Sequence, residues 1–333
     1  MLSILKKLFG PAKSSAVILM YHRIAEAASD PWDLCVSPAN FEAHVQAVKA
    51  RYRVLHTYRI SERIREDISL ADVVAITFDD GYLDNFTNAR PILEKYNVPA
   101  TFFITAKFRS DNKFWWDELE QLILHTPKLP EAVNFQLNGR DFKLMLGDTC
   151  ELDATIRQQN KSWRYGQPFP NARIKLYYEL WVELKTMSME EQRKALNQIK
   201  NWAGAGMILT PPLMNETQIK ELTAKGLFEI GGHSVNHPAL GVLSSADQHF
   251  EIKKSKDELE NVVAQTLKGF AYPYGHYNAE TPVLTKSAGF SYAVTTSETV
   301  VTRDDSLYEL SRFQVKDVDA QTLIDQIESW KKK

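Results

Sequence analysis

Val73-Val-Ala-Ile-Thr-Phe-Asp-Asp-Gly81 is the stretch that decides how this chain folds. Val73, Val74, Ile76 and Thr77 are β-branched, stiff at the first side-chain torsion and at home on a pleated strand. Apolar residues follow one another without regular polar alternation, so the strand is expected to be covered on both faces, as in a parallel sheet. Two carboxylates and a glycine then end it. Working outward, Ala16-Val-Ile-Leu-Met-Tyr21 and Pro99-Ala-Thr-Phe-Phe-Ile-Thr105 read as strands of the same kind. Between the first two, Ser37 is a natural N-cap with Pro38 at the first helical position, followed by Phe41, Val45 and Val48 at helical spacing. Tyr52–Leu55 reads as a further strand. A helix over 85–96 should turn Ala89, Ile92, Leu93 and Tyr96 inward. Alternating strands and helices mark a parallel sheet with crossover connections.

The rhythm breaks near residue 107. From 107 to 210 the chain is polar, aromatic-rich and mostly helical in pattern, with a hairpin expected over 133–147 around Asn138-Gly139. Trp115, Leu119 and Leu122 mark one helix, and a Ser188/Glu191 capping box opens another. Alternation resumes with a cap at Asn215/Gln218 and strands at 227–230, 269–272, 292–295 and 311–315. Helices are expected over 245–263, 279–288 and 319–330. The division is therefore an N-terminal extension (1–15), an α/β framework (16–106 and 211–333) and a helical insertion (107–210). Without the insertion, the framework has about the length of a (β/α) barrel.

Composition narrows the function. Forty basic against forty-two acidic side chains give a net charge of -2, so no basic field exists to bind nucleic acid through its phosphates. Cys35 and Cys150 form no metal-binding spacing; read as two unpaired thiols they suit a cytoplasmic protein. The start of the chain has no signal-type apolar run. Leu2, Leu5, Leu8 and Phe9 would share a helix face opposite Lys6 and Lys7, able to touch a membrane surface weakly; a packed or floppy start is the favoured alternative.

Three short segments carry chemistry. Asp79 and Asp80 close an apolar strand, where functional groups of such sheets gather, and adjacent carboxylates invite a compensating cation. His233 and His237, after Gly231-Gly232, are spaced i and i+4 and would converge from one side of a helical turn. Ala271-Tyr272-Pro273-Tyr274-Gly275 ends another strand in a turn. Two imidazoles and one carboxylate form an open, catalytic type of metal site, and the second carboxylate can serve as base for a water.

In this order the segments resemble the NodB-homology polysaccharide deacetylases, carbohydrate esterase family four. Thr77-Phe-Asp-Asp-Gly81, His233-Ser-Val-Asn-His-Pro238 and Pro273-Tyr-Gly275 carry the resemblance. Met20-Tyr-His-Arg-Ile24, Val36-Ser-Pro38 with Phe41, and Phe114-Trp-Trp-Asp117 resemble its sugar-modifying branch. The resemblance implies a distorted, incomplete (β/α) barrel. It implies that Asp80, His233 and His237 hold one divalent ion, with Zn2+ the first expectation, that Asp79 is the general base, and that the Tyr274 backbone N–H meets the oxyanion. Pro273, Tyr274, His276 and Trp116 are the expected substrate contacts. Three departures stand out. Ala271 replaces the arginine that holds the catalytic aspartate, and Arg312 is the candidate substitute. No Trp lies between Trp202 and Trp330, and no His follows His276. The proton donor to the leaving amine is accordingly expected to be His22, with His276 or a metal-bound water as alternatives.

The expected activity is metal-dependent removal of an N-acetyl group from an amino sugar of a polysaccharide or its precursor. Deformylation or loss of another small acyl group, or an inactive glycan-binding barrel, are the alternatives. The insertion's aromatic residues could stack on sugar rings, although core packing is the commoner use of such side chains.

Overall fold

The computed structural model describes residues 14–106 and 113–332; the amphipathic reading of the first residues therefore lies outside them. The chain forms two compact units. One comprises the described residues of Met1–Ala25, Val36–Ala106 and Met214–Lys333, the other those of Glu26–Cys35 and Lys107–Leu213. Glu26–Cys35, assigned to the framework from sequence, thus belongs with the insertion.

The first unit is built on a parallel sheet. Its strands are β1 (Ala16–Tyr21), β2 (Arg53–Val54), β3 (Val73–Phe78), β4 (Ala100–Ile104), β5 (Phe228–Gly232), β6 (Gly269–Ala271), β7 (Tyr292–Val294) and β8 (Phe313–Gln314). The order is β7-β6-β5-β4-β3-β1-β8, and β2 pairs with the start of β3 while β4 pairs with its end. β1 and β3 are buried at every position and align residue for residue from Ala16↔Val73 to Tyr21↔Phe78. Continuous apolar strands are stable here because both faces are covered, one by helices and the other by the curled sheet itself. The sheet is a curled half-barrel. Between β7 and β8 the chain runs irregularly: the Leu310 N–H donates to the Ala293 carbonyl and the Leu310 carbonyl accepts from the Thr295 N–H, while Val301 and Ala16 exchange backbone hydrogen bonds.

The lumen floor is a cluster of Ala16, Ile18, Val73, Ala75, Phe103, Ala271, Tyr292 and Val294, with Ile60, Leu70, Val301 and Leu310. Alternate residues of the strands supply it, as the two-residue pleat requires.

Helices follow the local signals. Ser37 caps Pro38–Arg51 through its side chain, and the Asn215/Gln218 capping box opens Glu216–Thr223. Helices Ser245–Val263, Thr281–Ser287 and Ala320–Trp330 lie where expected. The 85–96 segment differs. Asn85–Ala89 is a π turn, and regular helix begins only at Arg90, one residue before Pro91. A proline at the next position has no N–H to give, so the wider turn costs little there.

The second unit carries helices Trp115–Glu120, Ala154–Ser162, Ala172–Lys185 and Met189–Ala203, the last with both halves of its Ser188/Glu191 capping box. Its hairpin pairs Ala132–Leu137 with Arg140–Met145 across Asn138-Gly139, both at positive φ, which a tight type I′ turn demands. Among the described residues no helix is long and apolar enough to cross a membrane.

Candidate metal centre and active site

Strand pleat explains most of the convergence. Val73 and Ala75 face the lumen, so Thr77 and Asp79 extend that face to the carboxyl end of β3. By the same count β1 carries Ala16 and Ile18 on to His22, and β5 carries Glu229 on to His233. Asp80, one position beyond Asp79, should point the other way. The alternation is broken by its left-handed backbone, φ 76°, followed by Gly81 at φ 91°. A Cβ on Gly81 would stand 2.8 Å from Ile104 Cγ2, so this turn needs glycine for space as well as for conformation.

His233 and His237 do not lie on a helical turn, as their spacing suggested. The segment after β5 is irregular, with Ser234 at φ 63° and His237 at φ 59°. Its shape is held by other contacts. The Ser234 hydroxyl accepts from the His237 N–H at 2.9 Å. One carboxylate, Glu251 of helix Ser245–Val263, accepts from the Val235 and Asn236 N–H groups at 2.9 Å each and from the Asn236 side chain at 2.7 Å. Left-handed non-glycine residues cost energy and persist where neighbours over-determine them; these contacts do so here.

Asp80, His233 and His237 are all buried and form the one group of three such side chains, among the described residues, able to share an ion. His233 Nε2 lies 3.4 Å and His237 Nε2 3.2 Å from Asp80 Oδ1, an oxygen with no hydrogen-bond partner. Tetrahedral bonds of about 2.0–2.1 Å place neighbouring donor atoms about 3.3 Å apart, so the spacing fits a shared cation. His233 Nδ1 lies 2.8 Å from the Ala271 carbonyl, which can only accept. The ring proton therefore sits on Nδ1 and leaves the Nε2 lone pair facing Asp80, the usual support of a metal-ligating imidazole. Burial pushes the His237 imidazole down to about 4 despite the pull of Asp80, which keeps it in the neutral, ligating form.

Asp79 is held apart from this set. Arg312 Nη1 and Nη2 donate to its two oxygens at 2.7 Å each, a bidentate pair buried from solvent. Arg312 Nε also donates to the Thr295 carbonyl at 2.9 Å. Burial raises the Asp79 carboxyl, yet the Arg312 charge, then His233, bring it below its ordinary value. Arg312, immediately before β8, thus gives Asp79 the guanidinium that Ala271 cannot supply.

His22 follows β1 and feels Asp80 and Asp79. Burial lowers its imidazole against the opposing pull of those carboxylates. Its Nδ1 has no hydrogen-bond partner, and its carbonyl accepts from Asn85 Nδ2 at 2.8 Å. Tyr274, at φ 57°, sets its ring edge-on to His237 with centroids 4.4 Å apart. Pro273 is buried beside it. His276 packs against Gly241, where an added Cβ would lie 2.9 Å from its Nδ1. Trp116 lies in the second unit, 8% exposed and stacked on Phe114 at 4.1 Å, a packing position.

Sequence reading missed Glu251 and Asn85. A buried polar stripe on the long helix, Gln248, Glu251 and Ser255 at helical spacing, was the available signal for the first. For Asn85, its place a few residues after the Asp79-Asp80-Gly81 turn was the signal.

Comparison with known proteins points the same way. The family profile described as polysaccharide deacetylase matches residues 68–126 and 197–293, which hold both carboxylates, both histidines and Tyr274. The Bacillus subtilis protein named "Putative polysaccharide deacetylase YxkH" is 24% identical over 300 residues, 90% of this chain and 70% of that protein. The poly-beta-1,6-N-acetyl-D-glucosamine N-deacetylase of Staphylococcus epidermidis is 27% identical over 230 residues, 62% of this chain and 78% of that one. Among solved structures, the Streptococcus pyogenes deacetylase PplD, in complex with acetate, superposes with a TM-score of 0.58 at 20% identity, covering 94% of this chain and 98% of its own. That likeness bears on fold: a distorted (β/α) barrel.

Proposed function

Because this chain belongs to the NodB-homology polysaccharide deacetylase family, we propose that it is a metal-dependent hydrolase that removes the N-acetyl group of an amino sugar within a polysaccharide or its precursor. One observation carries this reading: a buried Asp80–His233–His237 set able to share an ion adjoins a carboxylate, Asp79, that a separate arginine holds ionised. Two imidazole nitrogens and one carboxylate oxygen are a donor set of the catalytic Zn2+ type. A divalent ion there would polarise the acyl oxygen and acidify a water.

The chain's own residues supply the remaining steps. Asp79, fixed by the Arg312 fork, takes a proton from the attacking water. The Tyr274 backbone N–H would donate to the oxygen that gains charge at the acyl carbon. His22 passes a proton to the departing amine; burial, which makes its imidazolium ready to give up a proton, supports that role. Ala271 O, through His233, and Glu251, through the 234–237 segment, keep the ligands in place.

The test uses the full chain, an N-acetylglucosamine oligosaccharide, an acetate assay and metal analysis. Asp79→Asn should lose about 10²–10⁴-fold in turnover while keeping one metal ion per chain. His233→Ala and His237→Ala should lose the ion. Chelator should abolish acetate release. Wild-type turnover in Asp79→Asn, or release indifferent to chelator, would refute the mechanism.

A further inference from the structure

The second unit exposes a contiguous aromatic surface. Tyr165 is 60% exposed and Phe169 43%. Tyr165 lies nearly parallel to Trp32 (centroids 4.9 Å, 30° between planes) and to Tyr178 (5.9 Å, 25°). Were those two rings on opposite faces of Tyr165, their separation would approach the sum of the two distances. They are only 6.4 Å apart, so the two rings do not sandwich Tyr165, which keeps 60% of its surface exposed. Phe169 continues the surface, 5.4 Å from Tyr178. At its rim Arg164 donates to Asp33 at 2.7 Å, and both side chains remain partly exposed.

Single exposed apolar residues are ordinary. A mostly exposed ring flanked by two others, with a neighbouring ring and a polar rim, is not. We propose that Tyr165, with Phe169 and Tyr178, is a binding platform for a pyranose ring of a saccharide chain. This rests on the deacetylase reading. A pyranose has a ring-sized apolar C–H face edged by hydroxyls, which matches an aromatic face flanked by a guanidinium and a carboxylate. Two exposed rings fall far short of the roughly 800 Å2 per partner of a stable protein interface.

The test compares a β-linked N-acetylglucosamine tetrasaccharide with the monosaccharide, using the full metal-loaded chain. Wild type should bind the tetrasaccharide more tightly than the monosaccharide. Tyr165→Ala should weaken tetrasaccharide binding about tenfold, the low end of what losing a stacked ring costs. Tyr165→Phe should restore it. Tetrasaccharide binding unchanged in Tyr165→Ala would overturn the proposal. Calorimetric titration of the tetrasaccharide into Asp79→Asn and into Asp79→Asn/Tyr165→Ala separates the two readings. If wild type releases no acetate, the deacetylase reading fails. The platform stands or falls on whether the double variant binds about tenfold more weakly than Asp79→Asn.

Discussion

Replacing Arg312 by methionine removes the guanidinium and keeps a stem of similar reach. Exposed ion pairs contribute little, because water replaces the lost partner. Here water cannot do so: Arg312 is fully buried, and it donates to both Asp79 oxygens and to the Thr295 carbonyl. Removing one member of a buried pair strands the other charge and costs about 3–5 kcal/mol. A stability of about 5–15 kcal/mol survives that loss, so Arg312→Met should fold but unfold earlier in urea. The pH dependence should change sign. In the wild type, burial raises Asp79 but the Arg312 charge outweighs it, so the carboxyl lies below its ordinary value. Its contribution is full above the unfolded value of about 3.9 and is lost as pH falls through the folded one. Without Arg312 burial wins, the folded value rises, and stability is lost as pH increases from the unfolded value toward it. Urea midpoints of metal-free protein at pH 5 and pH 8 measure both effects. Arg312→Lys should restore part of the stability but little turnover, since an ammonium cannot reproduce the planar fork. If Arg312→Met stays within about 1 kcal/mol of wild type, with the same pH profile and rate, the pair does not have the importance assigned to it.

Two further outcomes follow from the structure. Glu251→Leu leaves the Val235 and Asn236 N–H groups without their acceptor and should weaken metal binding about 10–100-fold; Glu251→Gln should largely rescue it, because Asn236 can turn its own amide to match. Competition titration with Co2+ measures this, and an unchanged affinity in the leucine variant would remove Glu251 from its supporting role. At the lumen floor, burial pushes the Glu229 carboxyl up to about 7 against hydrogen bonds from Thr101 and Tyr292. A raised carboxyl costs nothing below its unfolded value, and its penalty grows as pH climbs toward 7, to about 3 kcal/mol at most. Glu229→Gln should therefore flatten the fall in melting temperature between pH 5 and pH 8, and parallel curves for the two proteins would contradict the assignment.

Much of the fold was legible because it is local. β1 and β3 are uninterrupted apolar runs, and the helix starts at Ser37, Ser188 and Asn215 are fixed by side chains within three residues of the backbone groups they cap. The hairpin turn is written in Asn138-Gly139. Where reading failed, a distant contact or a backbone angle decided. A spacing of four resembles a helical turn in sequence, yet the 233–237 segment is shaped by left-handed residues and by Glu251. Glu26–Cys35 follows barrel residues in the chain but packs with the insertion.

The sequence by itself determined the parallel α/β framework, the interruption after residue 106, and the side chains from which a cation site could be built, since each depends on residue type and short-range pattern. Only the tertiary structure decided that Asp80 turns into the same cavity as Asp79, that Ala271 contributes a carbonyl to His233, and that Arg312 crosses from a distant segment to clamp Asp79. The physical reason is that a left-handed residue and a buried ion pair 233 positions apart in sequence are set by how strands curl around a shared lumen. No pattern of neighbouring residues encodes that geometry.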